Sequence, residues 1–450
     1  MTDASLTEPS LTDPSLTDTQ VRRVRRRRRQ HEHTEGHRRL AFLDHAMADY
    51  VALLTATLIL LGFGLVMVYS ASSVESLAAD GSTFGQFAKQ FLFALIGVPA
   101  MLWLSRRPVS FFERYGPPSL AVAIVLLVLV LIPGIGIDVG GQQNWIGLPG
   151  GFNLQPSEFT KLAFILWSAR LLTLRQDRLT DWKEVLLPFL PVAGGIVLLI
   201  LLEGDVGTAL VFMPIIAMML FMVGVPMRLF GLIGGLLVGV IALMSLTEGY
   251  RMQRFATWLD PEADPTGAGW QVIHGKMALA TGGWWGVGLG GSREKWGALP
   301  EAHNDFIFAV IGEELGFFGT LFVLFLFGVI GLVAIRIARR TDSVFVRLAT
   351  MGIVAWIFTQ TLINIGAVIG VLPVTGVPLP LVSYGGSSLV LVLAAIGVLL
   401  SFARCEPAAA AYTKQRRISN RRQRRQARRP AAQPRAASPR AAADAAGMGD

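Results

Sequence analysis

Long apolar runs separated by short polar breaks dominate the pattern along the chain. Ten such runs can be read, at about 49–70, 88–105, 118–134, 157–174, 184–203, 206–225, 228–247, 306–337, 346–371 and 380–403. Each approaches the roughly 20 residues an α-helix needs to cross the core of a bilayer. The pattern therefore predicts an all-α polytopic membrane protein with ten transmembrane helices. The fifth and sixth runs are parted by little more than Glu203, Gly204 and Asp205, so a tight hairpin is expected there. One connection, 247–305 between the seventh and eighth runs, is far longer than the others. Loops of that length are uncommon unless they carry function.

Charge gives the helices an orientation. Arg106, Arg107 and Arg114, then Arg170, Arg175, Arg178 and Lys183, then Arg228, then Arg336, Arg339, Arg340 and Arg347 fall on alternate connections, whereas 71–87, 135–156 and 371–379 hold no lysine or arginine. The positive-inside rule then puts both termini in the cytoplasm and the loop 247–305 outside. A chain 52% hydrophobic and 16% charged is too apolar for a soluble domain of this length. The net charge is +9, and half of the 40 lysines and arginines sit in two arginine-rich tails, 21–39 and 414–440. Beside membrane segments such tails read as topology signals and contacts to anionic lipids, not as nucleic-acid readers. The basic stretches 1–45 and 406–450 lack hydrophobic periodicity and are expected to be disordered cytoplasmic tails flanking a membrane domain at 46–405. A polar N-terminus makes the first apolar run an expected uncleaved anchor. The single cysteine, Cys405, excludes a disulfide within the chain and a thiolate metal site.

Four polar strings interrupt the apolar pattern. Leu299-Pro300-Glu301-Ala302-His303-Asn304-Asp305-Phe306 brings carboxylates and an imidazole to the outer start of the eighth run, with Glu313 and Glu314 two turns further on. Asp305 suits a helix N-cap, but acids at membrane depth are costly and seldom idle, which makes it a candidate for chemistry. Gln155-Pro156-Ser157-Glu158-Phe159-Thr160-Lys161 follows Trp145 and Asn153, and the three-residue spacing lets Glu158 and Lys161 pair on one helix face. Glu203-Gly204-Asp205 could hold a sugar hydroxyl or a divalent ion, or be a solvated turn. The stretch 372–388, with Pro373, Pro378, Pro380 and Ser383-Tyr384-Gly385-Gly386-Ser387-Ser388, argues for broken backbone covered by protein or a cavity, or for close helix packing. In the long loop, Arg251, Arg254, Arg293 and Lys295 stand beside flexible glycine stretches and could meet a diphosphate. No nucleotide-binding loop is present.

Taken in order, these strings resemble the SEDS family of peptidoglycan glycosyltransferases, with its septal FtsW, elongation RodA and sporulation branches, over about residues 50–403. The resemblance implies a ten-helix enzyme that polymerises lipid II on the outer face of the cytoplasmic membrane, working with a class B penicillin-binding transpeptidase and other divisome membrane proteins. By position Asp305 matches the family's essential acidic residue, and Glu158 with Lys161 its buried ion pair. Asp305 would serve as general base in an inverting transfer. Glu301, His303, Arg251, Arg254, Lys295, Trp145, Glu203, Asp205, Ser383 and Ser387 are the expected substrate contacts. Cations or a divalent ion, Mg or Mn, could neutralise the leaving diphosphate, and no nucleotide is needed. The chain departs from the family at Glu203-Gly204-Asp205-Val206-Gly207, where Glu-Pro-Asp-Leu-Gly is common. It departs again at Gln143 and Asn144, where arginines often precede the tryptophan, and at Asn304, where threonine is commoner. The Pro300-Glu301-Ala302-His303 stretch and the long tails favour the septal branch. A lipid flippase would instead need a polar pathway through the whole bilayer, and the acids cluster at the outer edge with no repeat evident.

Overall fold

The computed structural model describes residues 47–139, 142–148, 152–176, 182–231, 234–235, 239, 257–267, 269–296 and 299–405. Both tails, most of the seventh apolar run, and Arg251 and Arg254 lie outside them. Among the described residues the long helices are α1 (Ala48–Asp80), α2 (Gly85–Leu104), α3 (Val109–Val130), α4 (Pro156–Leu174), α5 (Trp182–Leu202), α6 (Val206–Met222), α7 (Trp270–Gly282), α8 (Ile307–Arg340), α9 (Val344–Val368) and α10 (Ser387–Cys405). Nine of them coincide with predicted runs, while α7 lies in the long connection between the seventh and eighth runs. Six, α1, α2, α3, α8, α9 and α10, are long and apolar enough to cross a membrane. Helices α5 and α6 supply shorter apolar stretches, Leu186–Leu202 and Val206–Met222.

The all-α expectation needs one correction. The connection between α3 and α4 folds into a three-stranded antiparallel sheet, β1 (Gly136–Val139), β2 (Gln142–Leu148) and β3 (Phe152–Leu154), in the order β1-β2-β3. Its strands are very short, and apolar residues stand opposite one another at Ile137–Trp145, Ile146–Leu154 and Leu148–Phe152. Strands of three to seven residues give too weak an alternation to register beside long apolar helices.

Helix α4 is the most enclosed polar element. It is buried along most of its length although it carries Glu158 and Lys161. Pro156 at its first position needs no hydrogen-bond donor there and pre-sets the backbone for the helix. Helix α3 packs on α4, α10 on α2, and α1, α7 and α9 on α8. The ends of these helices nearest the sheet, the sheet itself and the segments 299–306 and 369–386 converge on one region, and the candidate site lies among them.

Candidate active site

A cavity of about 450 Å³ opens where these elements meet. The head of α2 contributes Gln86 and Lys89, the sheet contributes Asn144, Trp145 and Asn153, and the start of α4 contributes Gln155 and Glu158. Asp205 and Thr208 come from the head of α6, Glu301, Asn304 and Asp305 from the segment before α8, and Gln360 from α9. The stretches 375–378 and 384–386 and Ser388 complete the wall. Five of the expected residues, Asp305, Glu301, Trp145, Asp205 and Glu158, therefore share one polar cavity.

Asp305 is held by its neighbours and does not cap the helix. Phe306 occupies the N-cap of α8, and no side chain bonds there. The Asp305 carbonyl instead accepts the Asn364 side-chain amide at 2.9 Å, and the same amide donates to Val377 O at 2.9 Å. Ser383 Oγ donates to Asn304 O at 2.7 Å, and Tyr384 N–H donates to His303 O at 3.0 Å. The broken segment 372–386 thus clamps the Asp305 loop through backbone groups, while the carboxylate reaches towards Gly376. Glu301 adopts φ 54°, uncommon for a residue with a Cβ, at the start of that loop.

Glu158 and Lys161 form the expected pair, with Nζ 2.5 Å from Oε1 and side chains 2% and 0% exposed. Ser388 Oγ donates to the other carboxylate oxygen at 3.3 Å, and Lys161 Nζ lies 5.3 Å from the centre of the Trp356 ring. Glu158 reaches the cavity wall and Lys161 stands behind it. Asp205 caps α6, accepting Thr208 N–H at 2.8 Å on Oδ1 and Thr208 Oγ1, Gln155 and Asn144 at 2.7, 2.9 and 3.2 Å on Oδ2.

Other expected contacts are placed differently. Lys295 does not reach this cavity: it lines a second one and pairs with Glu314 at 2.9 Å, because the long loop folds back onto the N-terminal half of α8. Ser383 and Ser387 are buried and committed to backbone groups, Ser387 accepting Gln155 N–H at 3.2 Å. His303 is buried behind the wall, its Nδ1 3.0 Å from Glu75 and its ring edge-on to Tyr384. Glu203 is buried in the turn that joins α5 to α6, beyond the end of either helix, and neither carboxyl oxygen has a hydrogen-bond partner among the described residues. Burial first, and then the neighbouring Asp205 charge, push its pKa up to about 9. It is a neutral acid near pH 7. Lys89 is a charged cavity residue that sequence reasoning misses, although a lysine near the start of an apolar helix, at the end without other basic residues, is the signal that marks it.

Asp205 is taken up by four donors and Glu158 by Lys161, and among the described residues no three His, Cys, Asp or Glu side chains converge on a point.

The comparison that decides the family is a match of the FtsW/RodA/SpoVE model, whose members are described as cell cycle proteins, to residues 51–407. The chain belongs to the FtsW/RodA/SpoVE family. Relatives at 41% identity include the probable peptidoglycan glycosyltransferase FtsW of Mycobacterium tuberculosis, over 82% of this chain and 71% of that protein, and that of Trichlorobacter lovleyi, over 79% and 93%. The stage V sporulation protein E of Bacillus subtilis is also 41% identical, over 78% and 96%. Among solved structures, one chain in a study of how a peptidoglycan synthase complex coordinates polymerization and crosslinking superposes with a TM-score of 0.65 at 28% identity, covering 79% of this chain and 97% of that one. The Thermus thermophilus rod shape determining protein RodA superposes with a TM-score of 0.58 at 27% identity, covering 79% and 96%. This FtsW/RodA/SpoVE protein is accordingly a multi-pass membrane protein, and the cavity around Asp305 lies within the part that its relatives share.

Proposed function

We propose that the cavity around Asp305 is the glycosyl-transfer centre of a septal peptidoglycan glycosyltransferase that polymerises lipid II on the outer face of the cytoplasmic membrane. The chain is a peptidoglycan glycosyltransferase by its relationship to the FtsW and SpoVE proteins. The observation that carries the site is the meeting of a half-buried Asp305, a cation at Lys89 and an aromatic face at Trp145 in one polar cavity. The positive-inside pattern supports cytoplasmic termini and an external mouth, and the FtsW names of the relatives support the septal role over the elongation role.

In this reading Asp305 accepts the proton of the acceptor sugar 4-hydroxyl as its oxygen attacks the anomeric carbon of a lipid-linked disaccharide. The bond from that carbon to the lipid diphosphate breaks, its electron pair leaves on the diphosphate, and the configuration inverts. Lys89, rather than Lys295, meets the growing negative charge. Electrostatic stabilisation of this kind usually contributes more to the rate than any other single effect, and general-base help supplies on the order of 10² to 10⁴ in rate. Trp145 offers a face for a sugar ring. A class B penicillin-binding transpeptidase would take the new strand for crosslinking, which the match to a chain of a peptidoglycan synthase complex supports. The test is polymerisation of purified lipid II by the reconstituted protein, with and without its transpeptidase, read as glycan ladders on a gel. Ladders are expected. Movement of labelled lipid II across vesicles without chain growth would favour a flippase instead.

A further inference from the structure

Glu313 and Glu314 take no part in the cavity around Asp305, yet both are fully buried, and a buried carboxylate is costly unless it is paired and hydrogen-bonded. Glu313 accepts Ser292 Oγ at 2.5 Å and the Arg293 N–H at 2.8 Å. Glu314 accepts Ser70 Oγ at 2.7 Å and Lys295 Nζ at 2.9 Å, and Lys295 Nζ donates to Ser70 Oγ at 3.2 Å. Three elements are joined: Ser70 stands on α1, the acids on α8, and Ser292 to Lys295 on the outer loop.

The backbone adds a second layer. Helix α8 breaks at Gly316, whose φ of 67° and ψ of −162° belong to a region open only to glycine. The groups released by the break are met by the loop: Val287 and Gly288 N–H donate to Glu313 O and Glu314 O at 2.9 Å, and Phe317 N–H donates to Gly283 O at 2.9 Å. The fit is close enough that a Cβ on Gly316 would lie 2.5 Å from Gly286 N.

The segment so fastened runs from Gly283 to the head of the same helix, where Asp305 sits. It is tied at its start by the break and in its middle by the two acids. At its end α1 approaches again, through Glu75 beside His303. We propose that Glu313, Glu314 and Lys295 are positioning residues that latch the outer loop across the broken helix and thereby fix Asp305 for proton transfer. The proposal rests on the reading of Asp305 as the base.

The test compares full-length protein in lipid nanodiscs carrying Glu314→Gln, Ser70→Ala, or the exchange Glu314→Lys with Lys295→Glu. Lipid II polymerisation kinetics are measured beside hydrogen exchange of the amides in 283–304. Glu314→Gln is expected to lower kcat on the order of 10²-fold, as a misplacement of about 1 Å can, with KM nearly unchanged and faster exchange confined to the loop. The exchanged pair should recover most of the lost rate. Ser70→Ala, which keeps both charges, should give the same split on a smaller scale and decides the matter if Glu314→Gln does not fold. Unchanged loop exchange in a folded Glu314→Gln or Ser70→Ala protein would overturn the latch. Loop loosening alongside a fully active Asp305→Asn protein would instead leave the latch standing and remove the catalytic reading.

Discussion

Replacing Glu158 by glutamine keeps the size of the side chain and removes its charge, leaving the Lys161 ammonium without a counter-ion at a position 0% exposed. Breaking a buried pair in this way costs about 3–5 kcal/mol. The lower end is expected, near 3 kcal/mol, because the amide oxygen can still accept from Nζ, and the Trp356 face, 5.3 Å away, still attracts the cation. Unfolding of the variant in mixed micelles titrated with SDS, followed by circular dichroism, measures the loss. The second substitution, Lys161→Met, should then recover at least half of it, since an apolar pair of similar volume is often as stable as the ion pair it replaces. A Glu158→Gln protein less than about 1 kcal/mol weaker than the parent, or a double variant no better than the single, would refute the reasoning.

Glu203 sets a pH dependence. Its folded pKa of about 9 lies above the ordinary 4.5, so its protonated form favours the fold. Stability from this group is complete below pH 4.5 and declines as pH rises towards about 9, by about 1.4 kcal/mol per unit. Glu203→Gln should flatten that decline and stabilise the protein at pH 8, as chemical unfolding at several pH values would show. Gly376 has φ 76°, and a Cβ there would lie 3.7 Å from Asp305 Oδ2, so Gly376→Ala should cost about 1 kcal/mol of strain and slow polymerisation, as unfolding and initial-rate measurements would show. Lys89→Met should slow lipid II turnover while Lys89→Arg retains most of it, compared in initial-rate assays.

Hydropathy locates nine of the helices because burial and lipid contact both demand apolar residues over the same stretch. The Glu158–Lys161 pair is equally legible, being set by spacing along one helix. What cannot be read depends on contacts between distant segments. Asp305 is marked for chemistry by an acid at membrane depth, but what holds it there is not legible, since its place is set by Asn364 and the segment near Gly376. Lys295 looks like a diphosphate ligand because its partner, Glu314, meets it only after α8 breaks at Gly316 and the loop folds back. Lys89 escapes notice because it sits just inside an apolar run, where hydropathy averages hide a single charge.

The most direct measurement is the rate at which Asp305→Asn protein, shown by thermal unfolding to be folded, polymerises purified lipid II. A fall on the order of 10² to 10⁴ is predicted, with lipid II binding retained. Polymerisation at the parent rate would contradict the account.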